Sequence, residues 1–465
     1  MLAQPISLLH GWVPITFQVI AAATLLLAIG WRTGRWRLLW VPAFAAFGAA
    51  IAAIAHWYGD FSGIAGSAMP PMVWIWIALT GLAFGVLVFG WRGVRWWQRG
   101  VSVLAVLLCV VCAGLAVNVW TGYLPTVQSA WGQFTGGALP GQTDEASADA
   151  MRQRGDKPTQ GTLVTVTIPG DASGFTHRDE YVYLPPAWYA TNPPPKLPAV
   201  MMIGGEFGTP GDWVRSGNAQ TTIDDFASKH GGVAPVLVFV DTAGSFIKDT
   251  ECVNGVRGNA ADHLTKDVVP YVISHFGVSQ DPANWGVAGW SMGGTCAVAL
   301  TVKHPELFSA FVDIDGDVFP NAGQKEQTVF RLYGGDEQAW AAFDPTAVMT
   351  AHGPYTGMAG WFGVSDPNVP TVHRDGTVGV GAPAEAEPEA PEGISAGANY
   401  LCALASSTGI ECSVVAESTK HDWPSGAQQF ANALPWLAGR IGTPGVPQVP
   451  LPGSGVDPSQ QADGH

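Results

Sequence analysis

Residues 285–294 read WGVAGWSMGG, an apolar stretch that ends in a glycine-flanked serine and is followed by a helix-forming stretch, 295–304. The apolar residues predict a strand, and Gly289, Ser291 and Gly293 form the pattern G-x-S-x-G. In that pattern the serine occupies a strained turn between strand and helix. The residues two positions before and two positions after the serine must be small, because larger side chains would collide in the turn. The turn aims the hydroxyl at a helix N-terminus, whose N–H groups favour negative charge. Ser291 is therefore predicted to be a nucleophile.

The surrounding sequence predicts the sheet that carries this turn. Apolar, β-branched stretches alternate with longer helical stretches, and they cover 163–168, 180–184, 199–203, 236–240, 285–288, 310–314, 360–364 and 412–415. Such alternation is typical of a mostly parallel sheet flanked by helices, which with the serine turn predicts an α/β-hydrolase fold. We expect this catalytic domain to span 161–440, after a Gly-, Gln-, Ser- and Pro-rich linker at 124–160 and before a disordered tail at 441–465.

A serine nucleophile needs a base and an orienting acid, and in this fold they follow the serine in the order acid, histidine. His421 comes just after the last predicted strand and is the predicted base. Asp366 ends the stretch 360–366 and is the predicted acid, since a carboxylate there could hold the productive tautomer of the imidazole. The alternative acids are Asp315, Asp317 and Asp375.

Two backbone N–H groups are predicted to form the oxyanion hole. One belongs to Met292, the residue after the nucleophile, and the other to Gly205, which follows the third predicted strand. The glycines at 204 and 205 do not belong to a phosphate-binding loop, because no G-x-x-x-x-G-K-[ST] pattern is present. Outside the apolar N-terminal stretches, neither a C-x-x-C motif nor a histidine-rich spacing indicates a metal, so we expect neither a metal nor a cofactor.

With these motifs, residues 160–440 resemble the esterase D and antigen 85 type of α/β-hydrolase. The resemblance is carried by GWSMGG at 289–294 and by His421-Asp-Trp, which is similar to the family's His-x-Trp after the last strand. It implies a carboxylesterase or an acyltransferase, a group that includes the mycolyltransferases of actinobacterial envelopes. Residues 206–213 (EFGTPGDW) depart from the sugar-contacting residues of those mycolyltransferases, so the resemblance does not extend to trehalose as acceptor.

The first 123 residues form a different kind of region. They contain four uncharged apolar stretches, each close to the ~20 residues that a helix needs to cross a bilayer. These stretches are 12–30, 38–58, 73–91 and 101–120. A signal peptide would offer a single short apolar core, so four transmembrane helices are predicted to remain in the mature protein.

The distribution of charge predicts the orientation of these helices. Arginines occupy the first and third connections, at 32, 35, 37, 92, 95 and 99, whereas residues 59–72 contain none. Positively charged connections stay in the cytoplasm, so the catalytic domain is expected on the extracytoplasmic side. The formal net charge of the whole chain is −15, which disfavours a nucleic-acid partner.

The cysteines fit that compartment. Cys109 and Cys112 lie in the fourth apolar stretch, whereas four cysteines lie outside the membrane. Four thiols in an oxidising compartment allow three pairings. We favour Cys252 with Cys296 and Cys402 with Cys412, and the alternative is a set of buried free thiols.

The sequence therefore predicts a membrane-anchored, extracytoplasmic serine esterase or acyltransferase that acts on acyl esters, with cell-envelope lipids as candidate substrates. The alternative from another class is a catalytically inactive hydrolase fold that serves as an envelope binding or scaffold module, since a fold alone does not fix a function.

Overall fold

The computed structural model describes residues 6–62, 69–92, 94–366 and 393–453. The chain divides into two compact units, Met1–Gly137 and Ala138–His465, and each is described by itself.

The first unit is helical. Its helices are α1 (Trp12–Ile29), α2 (Val41–Ser62), α3 (Pro71–Phe89), α4 (Trp96–Thr121) and α5 (Val127–Thr135), and a short π-helical turn, Trp36–Trp40, leads into α2. Four of these helices are long and apolar enough to cross a membrane, with the second counted from Trp36 to Phe61. The prediction of four membrane-spanning helices is thus confirmed in number, length and composition.

The arginine-bearing connections lie at one end of this helical unit. Arg32 follows α1, and its guanidinium donates to the carbonyl oxygen of Ala28 at 3.1 Å and to that of Gly90, at the end of α3, at 3.0 Å. The C-terminal ends of α1 and α3 are therefore adjacent. Arginine donors near a helix C-terminus also satisfy carbonyls that lack partners within the helix.

The second unit contains a nine-stranded sheet. Its strands are β1 (Gln142–Asp144), β2 (Thr162–Val166), β3 (Glu180–Leu184), β4 (Ala199–Ile203), β5 (Val236–Phe239), β8 (Trp285–Trp290), β9 (Ala310–Ile314), β10 (Ala359–Ser365) and β11 (Glu411–Glu417), and a separate hairpin is formed by β6 (Asn254–Gly255) and β7 (Gly258–Asn259). The spatial order is β1-β2-β3-β5-β4-β8-β9-β10-β11. Only β3 runs antiparallel to its neighbours, so the predicted mostly parallel sheet is confirmed.

Helices and shorter helical turns join these strands. The helices are α6 (Glu145–Arg154), α7 (Asp212–Arg215), α8 (Ala219–Lys229), α9 (Ala260–Asp262), α10 (Val269–Phe276), α11 (Met292–Lys303), α12 (Lys325–Tyr333), α13 (Glu337–Ala341), α14 (Pro345–His352), α15 (Ile394–Ser407) and α16 (Trp423–Arg440). The turns are the 3₁₀ segments Pro186–Tyr189 and Pro282–Asn284 and a π-helical segment, His263–Val268. Every residue of β4, β5, β8 and β9 is buried, as expected for parallel strands covered on both faces.

The stretch predicted as a linker, 124–160, contains regular structure. It holds α5 in the first unit, then β1 and α6, and β1 pairs with β2 at the edge of the sheet. The residues from Ala138 onward therefore belong to the second unit.

The predicted disordered tail, 441–465, also differs over its described part. Ile441 and Leu451 are buried, and the hydroxyl of Ser413 on β11 donates to the carbonyl oxygen of Pro452. Residues up to 453 thus pack against the catalytic unit, and the prediction for 454–465 lies outside the described residues.

Candidate active site

Ser291 lies on the sharp turn that the sequence predicts between β8 and α11. Its backbone has φ 58° and ψ −124°, a left-handed conformation that non-glycine residues rarely adopt and that is often found at functional sites. A Cβ at Gly289 would collide with the backbone of Gly293, and a Cβ at Gly293 would collide with the carbonyl oxygens that end β4. The two glycines are thus required by close backbone packing, which presents the Ser291 side chain at the carboxyl edge of the sheet.

His421 lies within hydrogen-bonding distance of this serine. Its Nε2 is 2.9 Å from Ser291 Oγ, so a neutral imidazole protonated on Nδ1 accepts the hydroxyl proton there. The chain brings the two together because His421 lies between β11 and α16, where Asp422 caps the helix by accepting the N–H of Ser425. The imidazole also stacks on Trp290, with ring centroids 5.1 Å apart.

The carboxylate beside the other imidazole nitrogen is that of Asp315. Its Oδ2 lies 3.5 Å from His421 Nδ1, which is an ion-pair distance and too long for a good hydrogen bond. The same carboxylate accepts the backbone N–H of Ser365 at 2.6 Å and its hydroxyl at 2.8 Å. Asp315 is buried and has a positive φ of 55°. It is therefore held firmly beside the base.

This arrangement differs from the expectation for Asp366. Among the described residues, the carboxylate paired with His421 is that of Asp315 and not that of Asp366. The backbone N–H of Asp366 donates to the carbonyl oxygen of Glu417. The physical reason is the order of the strands. Because β9 lies directly beside β8 and β10 lies one strand further away, the residue after β9 comes closer to the nucleophile turn than the residue after β10.

The two residues predicted for the oxyanion hole lie on either side of Ser291. Met292 begins α11, and the first N–H groups of a helix have no acceptor within that helix. Gly205 follows β4, which pairs with β8. A Cβ at Gly205 would lie 2.9 Å from the Trp290 ring and 3.5 Å from the Cβ of Ser291, so the backbone at 205 runs immediately beside the nucleophile.

A cleft adjoins this site, and its space together with the open solvent at its mouth amounts to about 330 Å³. The residues that line it are 204–209, 240–243, Phe246, Lys248, Asp249, Arg178 and Met292. Phe207 and Phe246 contribute apolar surface, with ring centroids 6.3 Å apart. The cleft therefore combines aromatic surface with charged side chains.

The cleft also carries acidic side chains that the sequence analysis did not single out. Burial, together with the negative charges of Asp249 and Asp317 and against the opposing charge of Arg257, raises the pKa of Glu206 to about 8. Burial likewise raises the pKa of Asp249. A Glu206 carboxyl of this kind is largely uncharged at neutral pH.

On the opposite wall, Arg178 and Asp241 form an ion pair. The guanidinium donates to both carboxylate oxygens, at 2.6 and 2.9 Å. Burial raises the pKa of Asp241, but the hydrogen bonds and charge of Arg178 outweigh burial and leave this pKa below its usual range. Asp241 therefore remains ionised in the cleft wall.

Two disulfides join segments of the catalytic unit, and both predicted pairings are confirmed. Cys252 is bonded to Cys296 and Cys402 to Cys412, with Cα atoms 5.8 Å apart in each case. The first ties the chain after β5 to α11, the helix that begins beside Ser291.

Comparison with solved structures finds similarity to several hydrolases and related proteins at low identity. An S-formylglutathione hydrolase from Agrobacterium tumefaciens is 16% identical, with 62% of this chain and 98% of that chain covered and a TM-score of 0.47. MPT51 from Mycobacterium tuberculosis is also 16% identical, with 59% and 99% covered and a TM-score of 0.35. A ferulic acid esterase is 15% identical, with 61% and 99% covered and a TM-score of 0.44.

Comparison of sequences identifies the family. An uncharacterized protein of Corynebacterium glutamicum is 32% identical over 366 residues, which cover 75% of this chain and 82% of that protein. Residues 176–355 match the family described as "Putative esterase", and this stretch contains the whole nucleophile turn. The chain therefore belongs to this esterase family of α/β-hydrolases, with four membrane-span-like helices before its hydrolase unit.

Proposed function

We propose that this protein is a membrane-anchored serine esterase or acyltransferase whose active site comprises Ser291, His421 and Asp315. The observation that carries the proposal is the 2.9 Å distance between Ser291 Oγ and His421 Nε2 at a strained turn between strand and helix. A scaffold protein has no need of an imidazole placed to take the proton of such a serine. Membership of an esterase family supports the same conclusion.

In the proposed mechanism, Ser291 Oγ attacks the carbonyl carbon of an acyl ester while His421 Nε2 accepts the hydroxyl proton. The negative charge of Asp315 stabilises the imidazolium that forms. Backbone N–H groups of Met292 and Gly205 receive the charge that develops on the carbonyl oxygen. When the tetrahedral intermediate collapses, His421 returns the proton to the departing alcohol and an acyl-enzyme remains.

The second half of the reaction decides between the two activities. Attack by water on the acyl-enzyme releases a carboxylic acid and makes the protein an esterase. Attack by the hydroxyl of a sugar or lipid forms a new ester and makes it an acyltransferase. Phe207 and Phe246 give the cleft apolar surface for the acyl part of a substrate, beside charged residues such as Lys248 and Asp249, and lipid esters of the cell envelope are our candidate substrates.

We place the catalytic unit on the extracytoplasmic side of the membrane. The arginines of the α1–α2 and α3–α4 connections support this, because positively charged connections remain in the cytoplasm. Two disulfides in the catalytic unit fit an oxidising compartment.

A fluorophosphonate probe tests the proposal on the full-length protein in detergent. We expect labelling of the wild type, and of a variant in which the exposed Ser228 of α8 is replaced by alanine. Ser291→Ala should not be labelled, and His421→Ala should be labelled far more slowly because the serine loses its base. A folded wild type that resists the probe would instead support the inactive binding or scaffold module.

A further inference from the structure

A buried cluster of metal-binding side chains lies outside the proposed active site. Its members are His177, Glu180 and His263. His177 lies just before β3 and Glu180 is the first residue of that strand, whereas His263 begins the π-helical segment after α9. One ligand atom from each lies within 4.8 Å of the others. The side chains of Glu180 and His263 are fully buried, and that of His177 is 7% exposed. The proposed hydrolytic mechanism uses none of them.

Each histidine is anchored through one ring nitrogen and turns the other towards Glu180. His177 Nε2 donates to the carbonyl oxygen of Ile168 at 2.6 Å, whereas its Nδ1 lies 4.0 Å from Glu180 Oε2. His263 Nδ1 lies 3.3 Å from Asp267 Oδ2, whereas its Nε2 lies 3.3 Å from Glu180 Oε1. Metal-bound histidines show this pattern, because the N–H that does not face the metal donates to a carbonyl or carboxylate that fixes the ring.

Glu180 provides an independent indication of a missing partner. Its Oε1 accepts the backbone N–H of Asp241 at 2.8 Å, but its Oε2 has no hydrogen-bond partner and is shielded from solvent. A buried carboxylate oxygen without a partner is destabilising, and it is usually neutralised by a proton or a cation. The orphaned oxygen belongs to the residue that both histidines face.

The two imidazole rings also contact each other directly and stack with centroids 4.2 Å apart. His177 Nδ1 lies 2.8 Å from the carbonyl oxygen of Arg178 as well as 4.0 Å from Glu180 Oε2. A cation bound between the two rings and Glu180 would therefore have to displace the contact with Arg178.

We propose that His177 Nδ1, Glu180 Oε2 and His263 Nε2 bind one divalent transition metal, with Zn²⁺ as the best fit to two imidazoles and one carboxylate. Bond lengths of ~2.0–2.2 Å to these ligands place them roughly 3.3 Å apart in a tetrahedral site. The three ligand atoms lie within 4.8 Å of one another, and His177 Nδ1 is 4.0 Å from Glu180 Oε2, so the cluster must contract when the metal binds. His177 Nδ1 must also give up its contact with the Arg178 carbonyl oxygen, 2.8 Å away.

This site is structural and independent of the proposed hydrolytic function. It joins the segment before β3 to the helices after β7, and Glu180 Oε1 connects it to Asp241 in the cleft wall. Bound metal is therefore expected to stabilise the folded catalytic unit, because a ligand that binds only the native state raises the temperature of unfolding. Binding should weaken as the pH falls, because imidazole and carboxylate ligands bind a metal only in their deprotonated forms.

The test uses full-length protein purified through a tag without histidines, stripped with a chelator and titrated with Zn²⁺. Bound metal is measured by atomic emission, and unfolding by differential scanning fluorimetry. We expect one equivalent of Zn²⁺ and a raised unfolding temperature for the wild type and for His275→Gln, which replaces an exposed histidine paired with Glu145. Glu180→Gln and His263→Gln should lose both effects. Asp267→Asn, which removes the carboxylate facing His263 Nδ1 and leaves an amide oxygen for the N–H of Ala172, should weaken binding roughly 10- to 100-fold.

Co²⁺ provides a measurement that does not depend on the folding of any variant. In the wild type it should give the intense visible absorption of a tetrahedral site and be displaced by Zn²⁺. Stripped wild-type protein that takes up neither ion overturns the proposal. Equal Zn²⁺ binding by wild type, Glu180→Gln and His263→Gln would also overturn it, because the metal would then lie elsewhere.

Discussion

The carboxylate of Asp315 lies 3.5 Å from Nδ1 of His421 while it accepts two hydrogen bonds from Ser365. The hydroxyl of Ser365 in turn accepts hydrogen bonds from Thr419 and from the side-chain amide of Gln429. Polar contacts from β10, from the segment after β11 and from α16 thus hold Asp315 beside His421. A carboxylate held in this way can stabilise the imidazolium without leaving its place when the ring becomes charged.

Replacing Asp315 with asparagine should therefore abolish most of the esterase activity. Loss of the negative charge removes the stabilisation of the charged imidazole and allows the wrong tautomer, for which a loss of ~10³- to 10⁴-fold in kcat is expected. Hydrolysis of a short-chain p-nitrophenyl ester measures this, and circular dichroism checks that the variant is folded. The matched variant is Asp366→Asn, for which we expect a loss smaller by at least ~10-fold. The opposite ranking would show that Asp366 orients His421.

The close approach of Gly205 to the nucleophile predicts a steric effect on catalysis. In Gly205→Ala the new methyl group would lie 2.9 Å from the ring of Trp290, so the loop after β4 must move away from Ser291. Displacing one oxyanion donor should lower kcat by ~10²- to 10³-fold with a smaller effect on KM. Gly204→Ala is the control, because a Cβ there meets no atom within 4 Å. Equal activity of the two variants would mean that Gly205 is not a donor.

The sequence predicted the elements that carry strong local signals. All eight predicted strands are present, and Ser291 and His421 meet although 130 positions separate them. The turn at Ser291 could be predicted because the glycines at 289 and 293 stand in a short pattern that is visible in the sequence, although the contact that requires Gly293 is with the distant end of β4. The position of His421 followed from the order of the motifs along the chain.

The remaining features depend on contacts between segments that are distant in sequence. The order of parallel strands in space cannot be read from the alternation of strands and helices, and this order brings Asp315 to His421. The same limit applies to the metal cluster, because Glu180 and His263 are 83 positions apart and show no metal-binding spacing. The edge strand β1 has three residues and no alternation of buried and exposed positions, so its sequence reads as a linker.

The raised pKa of Glu206 predicts how stability changes with pH. Its pKa is about 8 in the folded protein and ~4.3 in an unfolded chain, so the folded state holds the extra proton between these values. The free energy of unfolding should therefore decrease as the pH rises from ~4.3 to ~8, and this contribution should level off above that range. In Glu206→Gln this part of the decrease should be absent.

Urea unfolding of the catalytic unit in the full-length protein, at about pH 6 and about pH 9, measures this difference. Glu337→Gln serves as the control, since Glu337 is exposed on α13. Between the two pH values, the free energy of unfolding of Glu337→Gln should decrease by as much as that of the wild type. A Glu206→Gln variant with the same pH dependence as the wild type would contradict the expected protonation of Glu206.

The two disulfides should contribute unequally to stability. The Cys252–Cys296 bond closes a segment with a sequence separation of 44, and the Cys402–Cys412 bond one of 10. Chain-entropy arguments then give about 4 kcal/mol for the first and about 3 kcal/mol for the second. Paired cysteine-to-alanine variants, compared by urea unfolding, should show this order. The reverse order would indicate that strain or unfolded-state structure outweighs loop length.

The proposed topology predicts which residues a membrane-impermeant maleimide can reach. The native background is low, because Cys109 and Cys112 are buried in α4 and the other four cysteines form disulfides. We expect Ser228→Cys, at an exposed position on α8, to be labelled in intact cells. Arg35→Cys, in the connection between α1 and α2, should be labelled only after permeabilisation, because the arginines there hold that connection in the cytoplasm. The reverse pattern would place the catalytic unit in the cytoplasm, where a reducing environment would also leave its disulfides unexplained.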